Sequence, residues 1–240
     1  MPKSDPRAAL TYVDGRSTGP GSTLAPRSSI TLVLAELFGL VGLALYNWWV
    51  YVAASGNLMR NSDEFFSDLE AVSRPDAALL QHLDLAAGLV LAAALLLRGS
   101  RGPLGRRPEW IWLVACTLMG AVGGHFAYQC QEGLSAACRS AAWHLRLPLH
   151  HYLHVVSGVV EFATMTTAVF LMRKRTRHQV SALAKVVTTV WWTLLVTYPV
   201  LGVAYLLDRF GAFIEPIFFI CFTLIVAAEI LERRSTKAVE

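Results

Sequence analysis

Charge is what this sequence has least of. Asp, Glu, Lys and Arg make up 16% of its 240 residues, against about a quarter in a soluble domain, so a self-contained soluble fold is excluded. Cysteine is scarce as well. The four present, Cys116, Cys130, Cys138 and Cys221, are not grouped closely enough to supply a zinc site. No repeat of solenoid period is present. No secretory signal peptide is expected, because the first apolar run, beginning near Ile30, is long enough to span a membrane. The net charge of +4 is modest. Its basic residues lie in short segments between apolar blocks, which speaks against nucleic acid as a partner and for orientation in a membrane.

What the chain has instead is apolar length. Hydrophobic residues are 55% of it, gathered in blocks of about 20, the number needed to cross a hydrocarbon core as a helix. Six blocks qualify: Ile30–Ala53, Ala77–Leu97, Trp110–Tyr128, His151–Met172, Val186–Leu207 and Ala212–Leu231. The expected fold is therefore all-α, a polytopic membrane protein with a bundle of six transmembrane helices over 30–232. A Pro-, Gly- and Ser-rich tail, 1–29, reads as disordered, and a short tail, 233–240, follows the bundle. Sixteen of the 21 basic residues fall on one side of such a bundle, leaving Arg60, Arg74, Arg139, Arg146 and Arg209 on the other. By the positive-inside rule both termini are cytoplasmic. The bilayer itself is the first partner implied; self-association is left open.

Several features have ordinary structural readings. Trp48, Trp49 and Tyr51 at one end of the first span, and Trp110 and Trp112 at one end of the third, read as interfacial aromatics. The segment FFSDLE, 65–70, is expected to form a short helix lying at the interface. Cys130 and Cys138 share one outward loop, CQEGLSAAC, and are expected to clasp it as a disulfide. Pro199 interrupts the fifth span and is expected to kink it.

The residues that point to function lie in HHYLHVVSGVVEF, 150–162. His150, His154, Ser157 and Glu161 follow i, i+4, i+7, i+11 spacing, one stripe along a helix, in otherwise apolar surroundings. Imidazoles and an acid in a span are costly unless they face protein, water or a ligand. The topology brings His82, Asp84, His125 and Glu215 to the same outer level. The expectation is an outward-opening pocket among the second, third, fourth and sixth spans, with His154 and Glu161 on its wall and His82, Asp84, His125 and His150 at its mouth. Such a cluster suits a small ligand, ion or lipid headgroup, or a proton or substrate path. It also suits a transition metal held by His125, His150, His154 and Glu161, or a haem between His154 and His125 or His82. The plainer alternative leaves the histidines at the water boundary and the acids paired with imidazole or backbone.

FFSDLEAVSRP after the first span, CQEGLSAAC after the third, and HHYLHVVSGVVEF opening the fourth together resemble a bacterial membrane family of the domain-of-unknown-function 998 type, distantly similar to the six-span Frag, DRAM and Sfk-like proteins. The resemblance covers roughly Ser67 to Phe170. It implies the architecture and a bacterial inner membrane, and brings no reaction or catalytic residues with it. The working expectation is a non-enzymatic protein that binds or transports a small ligand. Its alternatives are a membrane-embedded enzyme using metal or haem and an accessory subunit of a membrane complex.

Overall fold

The structure is a computed structural model that describes residues 27–55, 62–100, 107–207 and 209–231. Residues 1–26 of the expected N-terminal tail, the tail 233–240 and Arg60 lie outside those residues. The described chain forms α1 (Arg27–Tyr46), α2 (Trp48–Ser55), a 3-10 turn (Ser67–Glu70), α3 (Ala77–Ser100), α4 (Pro108–His125), α5 (Ala136–Trp143), α6 (Leu149–Thr176), α7 (Ala182–Leu207) and α8 (Gly211–Leu231). Its one β-bridge joins Ala71 to Tyr128 in parallel sense.

Five stretches are long and apolar enough to cross a membrane: Ile30–Ser55, Ala77–Gly99, Leu149–Thr176, Ala182–Leu207 and Gly211–Ile230. The protein is therefore a multi-pass membrane protein. α4 is the exception among the six expected spans. Its 18 residues open on Glu109, Trp110 and Trp112 and close on Gly123, Gly124 and His125, and these ends dilute its apolar centre. It packs between α3 and α6, and stops at His125, short of the expected Tyr128, because Tyr128 turns out to accept from the backbone N–H of Val72 at 2.9 Å.

The first span breaks once, at Asn47. There the side-chain amide donates to the Leu43 carbonyl at 2.7 Å and to Thr223 Oγ1 at 3.0 Å, so the break is satisfied locally and tied to α8. α7, by contrast, continues through Pro199. The hydroxyl of the adjacent Tyr198 donates to the Phe162 carbonyl of α6 at 2.8 Å.

Because lipid tails are as apolar as leucine, helices in a membrane associate through close packing rather than water exclusion. Gly88 and Gly124 supply that packing between α3 and α4. A Cβ at Gly88 would sit 2.5 Å from the Ala121 nitrogen, and one at Gly124 would sit 2.5 Å from the Leu85 nitrogen. Gly120 and Gly124 have the GxxxG spacing that lets backbones meet. Around this seam lies a core that includes Leu91, Leu95, Leu113, Met165, Met172, Leu194, Phe218 and Ile225.

The two ends of the bundle are closed differently. At the lower end Arg175 of α6 donates through Nε to Glu109 of α4 at 2.6 Å and through Nη2 to Glu229 of α8 at 3.2 Å. Arg107 lies 3.7 Å from the same Glu229. Both glutamates are fully buried. At the upper end the FFSDLE segment forms a short helix as expected, the 3-10 turn Ser67–Glu70. Its Phe66 and Leu69 are buried against Trp48, Val52 and Leu80, because three apolar side chains on a single turn find more contact between the helix ends than above them. Cys130 and Cys138 also lie at this end, with their sulfurs at bonding distance, 1.96 Å. The short α5 that follows Cys130 was not foreseen; Ser135 caps it by accepting from the Cys138 N–H at 3.2 Å.

Candidate functional site

Three helices carry the same spacing of inward residues. α3 has Asp84, Gly88 and Leu91; α6 has His154, Gly158 and Glu161; α8 has Glu215, Phe219 and Phe222. Each set follows i, i+4, i+7, which stacks it on one helix face. The three faces converge on a chamber of about 90 Å³, completed by Thr117, Gly120, Gly123 and Gly124 of α4, by Tyr46 and Trp48 at the α1–α2 break, and by Ser67 and Glu70 of the 3-10 turn. A single water needs roughly 10–15 Å³ by the same measure, so several waters or one small molecule fit.

The chamber mixes acids with aromatic rings along its length. Four carboxyl groups line it, on Glu70, Asp84, Glu161 and Glu215, with one imidazole, His154, and no Lys or Arg. Their partners differ. Glu215 accepts from the backbone N–H of Phe66 at 2.5 Å and of Ser67 at 3.4 Å, so it receives the start of the 3-10 turn. Asp84 accepts from the indole N–H of Trp48. Glu161 packs beside the backbone of Gly120, where a Cβ would come within 3.2 Å of its Oε1. Glu70 is 3% exposed, and its Oε2 is buried without a donor. Burial, and then the neighbouring Asp84 carboxylate, push the Glu70 carboxyl well above its ordinary range. The two acids hydrogen-bond to each other only while one of them keeps a proton.

His154 donates through Nδ1 to the Phe126 carbonyl at 2.9 Å and lies 3.1 Å from the Gly123 carbonyl. Both neighbours are acceptors, so Nδ1 carries the proton and Nε2 is left as an acceptor.

Above the chamber a second polar layer organises the upper loops. Glu132 accepts from Tyr128 at 2.8 Å, from His151 Nε2 at 3.1 Å and from Tyr205 at 3.1 Å. Burial works to raise Glu132, but these hydrogen bonds outweigh it and hold the carboxyl below its usual range. Asp68 accepts from the Phe65 N–H at 3.1 Å, yet burial dominates and raises it to about 7.

The structure separates the residues singled out from sequence. Asp84, His154, Glu161 and Glu215 line the chamber. His82, His125 and His150, expected at its mouth, do not. His82 is exposed and turns back 2.5 Å from the Ala78 carbonyl of its own helix. His125 is exposed beside Phe126. His150 pairs with Gln129 at 2.9 Å. Two residues along a helix is a turn of about 200°, which is why His82 and Asp84 face apart. No three His, Cys, Asp or Glu side chains among the described residues group as metal ligands, so His125, His150, His154 and Glu161 do not converge as a metal site. Tyr46, Trp48, Ser67, Glu70 and the glycines are additions. The repeated i, i+4, i+7 pattern was the signal for Gly88 and Gly158; Glu70, on a loop with no periodicity, carried none.

A family model described as a protein of unknown function, DUF998, matches residues 39–230. No curated protein and no solved structure matches the chain.

Proposed function

We propose that this chain, which belongs to the DUF998 family, is a ligand-binding or transport-related protein of the cell membrane whose site is the chamber beneath the 3-10 turn. In this reading α4 is a sixth span, the termini are cytoplasmic, and the upper loops, with Cys130 and Cys138 as a disulfide, face outward into an oxidising compartment. Lys and Arg positions support that orientation.

The observation that carries the reading is the lining itself. Acids within a span are expensive, and three of them, Asp84, Glu161 and Glu215, share this chamber with Glu70 of the 3-10 turn and with no Lys or Arg among its walls. Acids serving only the fold carry their counter-charges with them, as Glu109 and Glu229 do with Arg175. Those of the chamber face an open volume instead.

Thiol accessibility tests it. A Cβ at Gly158 meets nothing within 4 Å, so Gly158→Cys adds a thiol to the chamber wall without a clash. Cys116 and Cys221, both buried, are replaced by alanine. A membrane-impermeant thiol reagent added to intact cells is expected to modify Gly158→Cys. A thiol that reacts only after denaturation would make the chamber a sealed packing defect and end the proposal.

A further inference from the structure

We propose that the chamber's occupant is a small alkylammonium ion, with its charge among Glu70, Asp84 and Glu161 and its alkyl groups against Tyr46, Phe162 and Phe222. This rests on the chamber being a ligand site, as proposed above, and names the class of ligand.

Charge selects first. An anion entering a space lined by four acids and no Lys or Arg would meet only repulsion. A neutral molecule would leave the charge that the Glu70–Asp84 pair keeps beside its shared proton without a counter-charge. Glu215 and Asp84 already receive protein donors, whereas Glu70 Oε2 is buried with none. An unserved buried acceptor of this kind is the feature a cationic ligand satisfies.

The remainder of the wall then separates organic from inorganic cations. A metal ion asks for several converging oxygen or nitrogen ligands, and no such group forms among the described residues. Around Glu161 the chamber is instead aromatic: Tyr46 and Phe222 lie with ring centroids 4.4 Å apart, and Phe162 also faces the space. Aromatic faces beside carboxylates are what an alkylated ammonium group prefers, through ring–cation attraction and contact with its methyl groups. His154 Nε2 adds an acceptor for any N–H the ion carries. The volume of about 90 Å³ limits the ion to a few carbon atoms.

The test uses the full-length protein with tetramethylammonium chloride as the probe. Potassium chloride at equal ionic strength is the charge control, and tert-butanol the neutral control of similar shape. Tetramethylammonium is expected to slow modification of Gly158→Cys, and to raise the unfolding temperature of the wild-type protein in detergent, while neither control does. Glu161→Gln, or Glu70→Gln where the first fails to fold, is expected to raise the half-protecting concentration about tenfold, through the loss of one carboxylate's coulombic attraction for the ion. Equal protection by potassium or by tert-butanol overturns the proposal. So does a wild-type unfolding temperature indifferent to tetramethylammonium. A thiol that labels freely but is not protected removes the alkylammonium class and leaves the chamber as a site; a thiol that never labels removes the site itself.

Discussion

The indole N–H of Trp48 donates to the carboxyl of Asp84, joining α2 to α3 in the wall of the chamber. Trp48 is also 5% exposed and packs edge-on against Phe66, with ring centroids 6.2 Å apart. One side chain thus holds an acid with its nitrogen and the 3-10 turn with its ring. Trp48→Phe keeps most of the ring and removes the donor. It is expected to lower stability by about 1–3 kcal/mol in the wild-type background and by much less when Asp84 is already alanine. Thermal unfolding of the two single variants and the double variant in one detergent measures the coupling; equal losses in both backgrounds would mean that the hydrogen bond contributes nothing.

The seam between α3 and α4 makes a sharper steric prediction. At Gly124 the nearest atoms to a new methyl group are backbone, the Leu85 nitrogen at 2.5 Å and the Gln81 carbonyl at 2.7 Å, which cannot rotate away. Gly124→Ala is expected to cost about 1–3 kcal/mol as the helices are forced apart. Gly158→Ala, on an open face of α6, is expected to be neutral or to stabilise by up to about 1 kcal/mol through helix propensity. Unfolding temperatures of the two variants, taken side by side, decide it.

At the lower end, Arg175→Met takes from Glu109 and Glu229 the cation they share, while Arg107 stays 3.7 Å from Glu229. Removing one partner of a buried ion pair costs about 3–5 kcal/mol, because the remaining charge has no water. Replacing all three by Met, Gln and Gln is expected to recover most of that loss. If the triple variant unfolds no later than Arg175→Met alone, the cluster is held together by something other than charge.

The upper loops should respond to pH in a definite direction. The Asp68 carboxyl has an ordinary value of 3.8 and is raised by burial to about 7 in the fold. Between those values the folded protein binds the extra proton, so the stabilisation from protonated Asp68 is complete near pH 4, declines as pH rises, and is gone above about pH 7. Subtracting the unfolding free energy of Asp68→Asn from that of wild type isolates this slope. The depressed Glu132 acts oppositely: its contribution is present above its ordinary range and disappears on acidification. A difference curve that is flat from about pH 4 to pH 7 would show that Asp68 is not buried as an acid.

How much of this could be read in the letters follows from where periodicity exists. The membrane helices were legible because hydrocarbon thickness demands a length, and lengths survive in sequence. His154 and Glu161 were legible because seven residues is close to two turns, so a polar stripe stands out against valine. Trp48 was misread because an indole at the end of a span looks the same whether it meets headgroups or an aspartate. His82 and His125 were grouped with the site by depth alone, and depth says nothing about azimuth around a helix. Glu70 was invisible: its position comes from the packing of Phe66 and Leu69 beneath Trp48, a tertiary contact with no local signature. The histidines of the expected metal-ligand set are spread for a related reason: His150 pairs with Gln129, His154 with backbone carbonyls, and His125 lies beside the Phe126 ring.

The clamp of Arg175 on Glu109 and Glu229 also limits how this bundle can move. α4, α6 and α8 are pinned to one another at the end farthest from the 3-10 turn, and two of the three pins are hydrogen bonds onto fully buried carboxylates. Sliding along their axes would tear that fulcrum, whereas tilting about it would not. Relative tilting of α4, α6 and α8 is therefore least at the guanidinium and greatest at the opposite end, where Glu215 accepts from the Phe66 and Ser67 amides.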